Sequence, residues 1–185
     1  MAIAHLIEPD PPQQRPTRFS HLVIQSPQFE KMTAWYKTVL RAKPMFENGV
    51  VCFLSYDDEH HRVMIGSNPN ATPRDPKAAG VVHFAYAFDT LDALLDAYLR
   101  LREEGITPPN CINHGFTTSF YYKDPDQNEV ELAVDNYDNR EDMDAWFATG
   151  AFDRNFVGVP VDPDEMVRQR DAGVPAPEIL QGSYA

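Results

Sequence analysis

GVVHFAYAF, residues 80–88, and KDPDQNEVELAV, residues 123–134, are the two stretches whose alternation decides the fold. Successive side chains of a strand point to opposite faces of a sheet. In the first stretch Val82, Phe84, Tyr86 and Phe88 form a face broad enough to cover a helix, while Val81, His83, Ala85 and Ala87 form the other. His83 therefore sits among small residues, where there is room for a ligand. In Asn128 to Val134 the packed face is Val130, Leu132 and Val134, and Glu131 points away from it with Glu129 and Ala133. In Phe19 to Gln25 the row Ser20, Leu22, Ile24 opposes the row Phe19, His21, Val23, which lets His21 face the same concavity. Two imidazoles and one carboxylate on three strands suit an octahedral metal that keeps three cis positions open. That donor set favours non-haem Fe(II) over Zn(II), and Mn(II) accepts the same ligands.

Working outward, each of these strands belongs to a repeated unit. Strand Arg18 to Gln25 is followed by Ser26 and Pro27, read as N-cap and first residue of a helix through Leu40 with Phe29, Met32, Tyr36, Val39 and Leu40 at helical spacing. Pro44 and Asn48-Gly49 break the next segment into short strands, continued by Val50 to Tyr56 and Arg62 to Ile65. GSNPNATPRDPKAAG, residues 66–80, has linker composition, and the pattern then begins again. After strand Val81 to Phe88, Thr90 caps a helix with a stripe of Leu91, Leu94, Leu95, Tyr98 and Leu99, stopped at Gly105. Short strands follow at Cys111 to Asn113, Thr117 to Tyr122 and Asn128 to Val134. His21 and His83 occupy the same place in the two units, a repeat of roughly sixty residues visible in element order. The expected fold is α+β, with paired β-α-β-β-β modules forming a concave metal-holding sheet. The domain boundaries read as an N-terminal arm at 1–17, a domain at 18–137 with modules at 18–66 and 80–137, and a C-terminal helical extension at 138–185.

Composition narrows the function. A chain of 185 residues with net charge −12 attracts neither a nucleic-acid backbone nor an anionic membrane surface. No apolar run is long enough to span a bilayer, and the N-terminus lacks the basic start and apolar core of a signal peptide, so the cytoplasm is the expected compartment. Cys52 and Cys111 are too few for a disulfide framework and read as reduced, partly buried thiols.

With these residues in place, the chain resembles the vicinal oxygen chelate superfamily over about residues 18 to 137. Its DPDQNEVEL is similar to the family pattern Asp-Pro-x-Gly-Asn-x-x-Glu, whose last residue, here Glu131, is a metal ligand. Gln127 stands where that pattern has Gly, so the positive φ of the turn is expected at Asn128. Within the superfamily the chain is most similar to short-form type I extradiol ring-cleavage dioxygenases. That resemblance implies iron ligands His21, His83 and Glu131. It also implies an acid–base histidine at His61, from the pair His60-His61, and a catalytic tyrosine at Tyr121, from Ser119-Phe120-Tyr121. His114 lies near the family's polar substrate contacts, and Phe120 is taken with it as a substrate contact. The implied partners are a small aromatic diol and O2, with a homo-oligomer as the expected assembly.

Two other classes share the fold. A glyoxalase-type lyase or isomerase uses a fourth protein ligand, and by the internal repeat its position falls at about Met64, where Arg62 to Ile65 offers no carboxylate or imidazole. A metal-free binding protein of the bleomycin-resistance kind uses the cleft alone. His60 reads as a solvated turn residue, as does His5. In the extension, Glu141 to Phe147 and Asp162 to about Ala172 read as helices, and Trp146, Phe147, Phe152 and Phe156 need burial. The extension is expected to pack on the outside of the domain or on a second subunit, in preference to covering the cleft.

Overall fold

A computed structural model of the chain describes residues 16–72, 75, 77–182 and 184. The expected arm at 1–17, with His5, lies outside them except for its last two residues. The chain divides into two compact units, one reaching up to Gly80 and including Asp124–Asn128, the other built from Val81–Lys123 and from Glu129 onward.

The first unit runs β1 (Leu22–Ser26), α1 (Phe29–Leu40), β2 (Lys43–Glu47), β3 (Val51–Ser55) and β4 (Val63–Ser67). Its sheet has the order β1-β4-β3-β2, with β1 and β4 parallel and the other pairs antiparallel. One stripe of α1, made of Phe29, Met32, Tyr36 and Val39, is almost fully buried together with Ile24, Cys52, Leu54, Val63 and Ile65. Burying each large side chain of that stripe contributes about 1.5–3 kcal/mol. The strand begins at Leu22 rather than Arg18, so His21 stands immediately before it. Ser26 is not the helix cap. It is the last residue of β1, and its Oγ accepts the Gln28 N–H at 2.9 Å, which delays the helix until Phe29.

The same unit holds the turn Asp124–Asn128. Tyr36 donates to the Asp124 carboxylate at 3.2 Å, and the Gln28 amide donates to the Pro125 carbonyl and to Asp126. The positive φ expected at Asn128 is at Gln127, with φ 69°. Asn128 is held elsewhere because both its backbone N–H and its side-chain amide donate to the Asp124 carboxylate at 2.8 Å.

The second unit runs β5 (His83–Phe88), α2 (Leu91–Glu103), β6 (Asn110–Asn113), β7 (Thr117–Lys123) and β8 (Glu129–Asp135). The Thr90 hydroxyl caps α2 by accepting the Ala93 N–H at 3.2 Å, as its sequence position leads one to expect. Leu91, Leu94, Leu95, Tyr98 and Leu101 of α2 are buried with Phe120, Tyr122, Val130, Leu132 and Val134 of the sheet. Beyond β8 come α3 (Arg140–Ala148), α4 (Ala151–Arg154), β9 (Val159–Pro160), α5 (Pro163–Asp171) and α6 (Ala176–Gly182). Asn139 and Asp162 cap α3 and α5 through their side chains. The extension is more than a set of helices on the surface, because β9 pairs antiparallel with β6 and makes the sheet β5-β8-β7-β6-β9. Among the described residues no helix is long and apolar enough to cross a membrane.

Candidate functional site

In the second unit, strand register decides which side chains share the face away from α2. Ala85, Glu131, Tyr121 and Asn110 are successive partners across β5, β8, β7 and β6, and Ala87, Ala133, Ser119 and Ile112 form the next row. His83 begins β5 opposite Glu129, two residues before Ala85. His83 Nε2 comes within 2.8 Å of Glu131 Oε2, and the Ser119 hydroxyl donates to Glu131 Oε1. Glu131 is 6 % exposed, so its carboxylate depends on these partners for the hydrogen bonds that water would otherwise supply. Edge-on to the His83 ring at 5.6 Å stands Tyr121, whose Oη is 2.8 Å from His114 Nε2. Burial, followed by the charge of Glu131, pushes the Tyr121 hydroxyl up to about 12, so it remains a phenol at neutral pH. Burial also lowers the pKa of His114, against the opposing pull of Glu131.

Phe120 corrects one expectation. It is fully buried and meets Tyr98 of α2 edge-on at 5.9 Å, on the face opposite Tyr121. Neighbours along a strand alternate, so a tyrosine on the open face places the preceding phenylalanine in the core. Tyr122 is in that core as well. Phe116, by contrast, meets Trp146, Phe147 and Phe152 of the extension, with ring centroids 5.2–6.3 Å away.

In the first unit, His21, His60 and His61 form a second cluster. His61 lies 4.3 Å from the His21 ring and stacks on Phe53 at 4.6 Å with an interplanar angle of 16°. His60 is a solvated turn residue, as expected, with its side chain 65 % exposed. Its Nδ1 is 2.6 Å from His61 Nδ1, and its Nε2 is 3.3 Å from the buried carboxylate of Glu59. Burial, and then the neighbouring His21 and His60, lower the pKa of His61.

The two sheets can be compared strand for strand, each by its own register. In the second, Glu131 lies two residues beyond the partner of His83. In the first, Leu22 pairs with Val63 and Val23 with Met64, so the residue two beyond the partner position of His21 is Met64. The counterpart of Glu131 is thus a thioether, and the counterpart of Tyr121, which faces Glu131, is Phe53, which faces Met64.

Of the sequence-predicted residues, His83, Glu131, Tyr121 and His114 are gathered on one unit, while His21 and His61 are gathered on the other. Among the described residues no group of three or more His, Cys, Asp or Glu side chains is arranged to hold a metal. Ser119 was legible only as part of a motif. Its role toward Glu131 follows from the β7·β8 register, which alternation alone could have pointed to, since Ser119 and Tyr121 share a face.

The comparisons with known proteins agree with this architecture. A chain called biphenyl-2,3-diol 1,2-dioxygenase 2, from Rhodococcus globerulus, is 44% identical over 91% of this chain and 89% of its own length. Biphenyl-2,3-diol 1,2-dioxygenase 3 from the same organism is 39% identical over 91% of this chain and 90% of its own. A solved lactoylglutathione lyase from Agrobacterium tumefaciens shares the fold at a TM-score of 0.52, with 17% identity, over 64% of this chain and 94% of that one. With the family profile matching residues 18–132, the chain belongs to the Glyoxalase/Bleomycin resistance protein/Dioxygenase superfamily.

Proposed function

We propose that the chain is an extradiol ring-cleavage dioxygenase, which opens an aromatic vicinal diol beside its hydroxyls and places both atoms of O2 in the product. The observation that carries this reading is the 44% and 39% identity, over 91% of the chain, to two relatives named as biphenyl-2,3-diol 1,2-dioxygenases. A biaryl diol is accordingly the first substrate to try.

The reading includes a metal held by His21, His83 and Glu131, Fe(II) ahead of Mn(II). The donor set suits it, with imidazole and carboxylate and no thiolate. The 2.8 Å between His83 Nε2 and Glu131 Oε2 supports it further. An imidazole nitrogen and a carboxylate oxygen side by side would be two of the groups that hold the ion. Met64 in the counterpart position of Glu131 supplies no fourth hard ligand, which favours an open site over the glyoxalase type.

When bound, the ion supplies open positions for diol and O2 and the electron path between them. The rest falls to the chain. Ser119 fixes one oxygen of Glu131 and leaves the other toward His83. Tyr121, a phenol at neutral pH, hydrogen-bonds a diol oxygen. His61, kept neutral by burial and by its histidine neighbours, takes a proton from the diol and returns it to the opening product.

Oxygen uptake by iron-loaded protein, measured over one-ring, biaryl and fused-ring diols, tests the reading. One O2 per diol and a yellow ring-opened product are expected, and no uptake with any diol would sink it. Glu131→Ala is expected to lose the metal. His61→Ala is expected to keep it and to lose on the order of a hundredfold or more in kcat, whereas loss of metal in that variant would make His61 a ligand.

A further inference from the structure

Within the second unit, the C-terminal extension forms a cleft of about 430 Å³ against Gly115 and Tyr137, which follow β6 and β8. A space of that size holds a small molecule. Its apolar walls are three half-buried rings. Trp146 of α3 meets Tyr184 at 5.5 Å with an interplanar angle of 75°, and Tyr137 lies 6.5 Å from Trp146 at 38°. Two of these rings are fixed by close contacts. Trp146 lies over Gly115, where a Cβ would come 2.1 Å from it, and the Tyr184 hydroxyl donates to the Asn155 carbonyl.

The polar side of the cleft rests on one group. Arg154 Nη1 donates to the Thr149 carbonyl at 3.0 Å, and the side chain makes no ion pair among the described residues. A guanidinium carries five N–H donors, so most of them are open to a ligand. The Asn155 amide is closed on Gly158 through both its nitrogen and its oxygen, and the Gln181 amide nitrogen donates to the Asn136 carbonyl at 3.1 Å. Although the chain carries a net charge of −12, no Asp or Glu among the described residues lines the cleft. Three rings alone would also suit an organic cation, but the guanidinium repels one. A carboxylate instead matches its planar fork of donors.

We infer that this cleft is a second ligand site, separate from His83 and Glu131, that takes a small aromatic carboxylate, with its ring among Tyr137, Trp146 and Tyr184 and its charge on Arg154. On the dioxygenase reading, one acid of this class is the enzyme's own product. Ring opening turns the hydroxyl-bearing carbon at the break into a carboxylate and the carbon beside it into a carbonyl, so a biaryl diol leaves an acid that keeps its second ring. That identification rests on the dioxygenase reading, whereas the site itself does not.

Calorimetry of the full-length, metal-loaded chain with benzoate tests the site. One equivalent is expected to bind with a Kd of about 1 mM. Benzyl alcohol, which has the ring without the charge, and acetate, which has the charge without the ring, are each expected to bind about tenfold more weakly. Benzylammonium is expected not to bind. Arg154→Gln, checked for folding by its thermal transition, is expected to weaken benzoate about tenfold. Benzoate held at the metal would not respond to that substitution, so equal affinities in parent and variant overturn the proposal. Absence of saturable binding overturns it too, as does equal affinity for benzyl alcohol or benzylammonium. A second readout uses the two tryptophans of the chain, since Trp35→Phe leaves Trp146 as the sole indole. Its emission is expected to change along the same binding curve, and an emission unchanged at saturation places benzoate elsewhere and overturns the assignment. Should either variant fail to fold, the other decides. None of these titrations needs turnover, so a chain that takes up no oxygen loses the identification of the product and keeps the site.

Discussion

Tyr122 and Tyr121 are adjacent in sequence and differ entirely in physical situation. The Tyr121 hydroxyl is engaged with His114 on the open face, whereas Tyr122 Oη is buried under α2 with no hydrogen-bond partner among the described residues. A buried hydroxyl without a partner costs about 1–3 kcal/mol of desolvation. Tyr122→Phe is therefore expected to stabilise the fold by about 1 kcal/mol, read as a higher urea midpoint at unchanged slope, with oxygen uptake unaffected. A lower midpoint would show that the hydroxyl has found a partner. The sequence could name both tyrosines but not separate them until one strand face was tied to the helix, and the misplacement of Phe120 as a substrate contact has the same origin. Motif residues are recognised in a row, and a strand divides that row between two faces.

At the scale of elements, the turn Asp124–Asn128 shows how a local rule yields to its surroundings. The positive φ is carried by Gln127 because Asn128 is fixed by two bonds to Asp124. A non-glycine residue in the left-handed region costs about 1–2 kcal/mol, and glycine gives back about 0.5–1 kcal/mol through its greater freedom when unfolded. Gln127→Gly is thus expected to stabilise by roughly 0.5–1 kcal/mol, seen as a higher thermal midpoint. Destabilisation would mean that the long 3.4 Å bond from the Gln127 amide to the Asp124 carbonyl matters more than the backbone strain. The helices were more legible than this turn. Leu91, Leu94, Leu95, Tyr98 and the cap at Thr90 stand where their spacing puts them, because periodicity and capping act within a few residues, while the last buried stripe position is Leu101 and not Leu99. Ser26 was misread because a serine before proline serves a strand end as well as a helix start, and only the register with β4 decides which.

For the whole molecule, the net charge of −12 acts on what approaches it. A neutral diol feels little of that field, while a carboxylated catechol is repelled, and the repulsion is screened by salt. Raising ionic strength is expected to increase kcat/KM for the anionic catechol by roughly threefold while leaving the neutral diol unchanged. Equal responses from the two would mean that the field at the site is set by local cations instead. The sequence by itself determined the paired β-α-β-β-β modules, the faces that present His83 and Glu131, and the thioether of Met64 at the counterpart of Glu131. Each of these is a matter of short-range periodicity and of one unit repeating another. Only tertiary structure decided that β9 joins the second sheet, that Ser119 serves Glu131, and that Gly158 and Leu180 pack against the loop that begins at Asn113. Ser119 and Glu131 meet across two neighbouring strands, the contacts of β9, Gly158 and Leu180 join residues more than forty positions apart, and no local propensity in a short strand such as Val159–Pro160 records which edge it will meet.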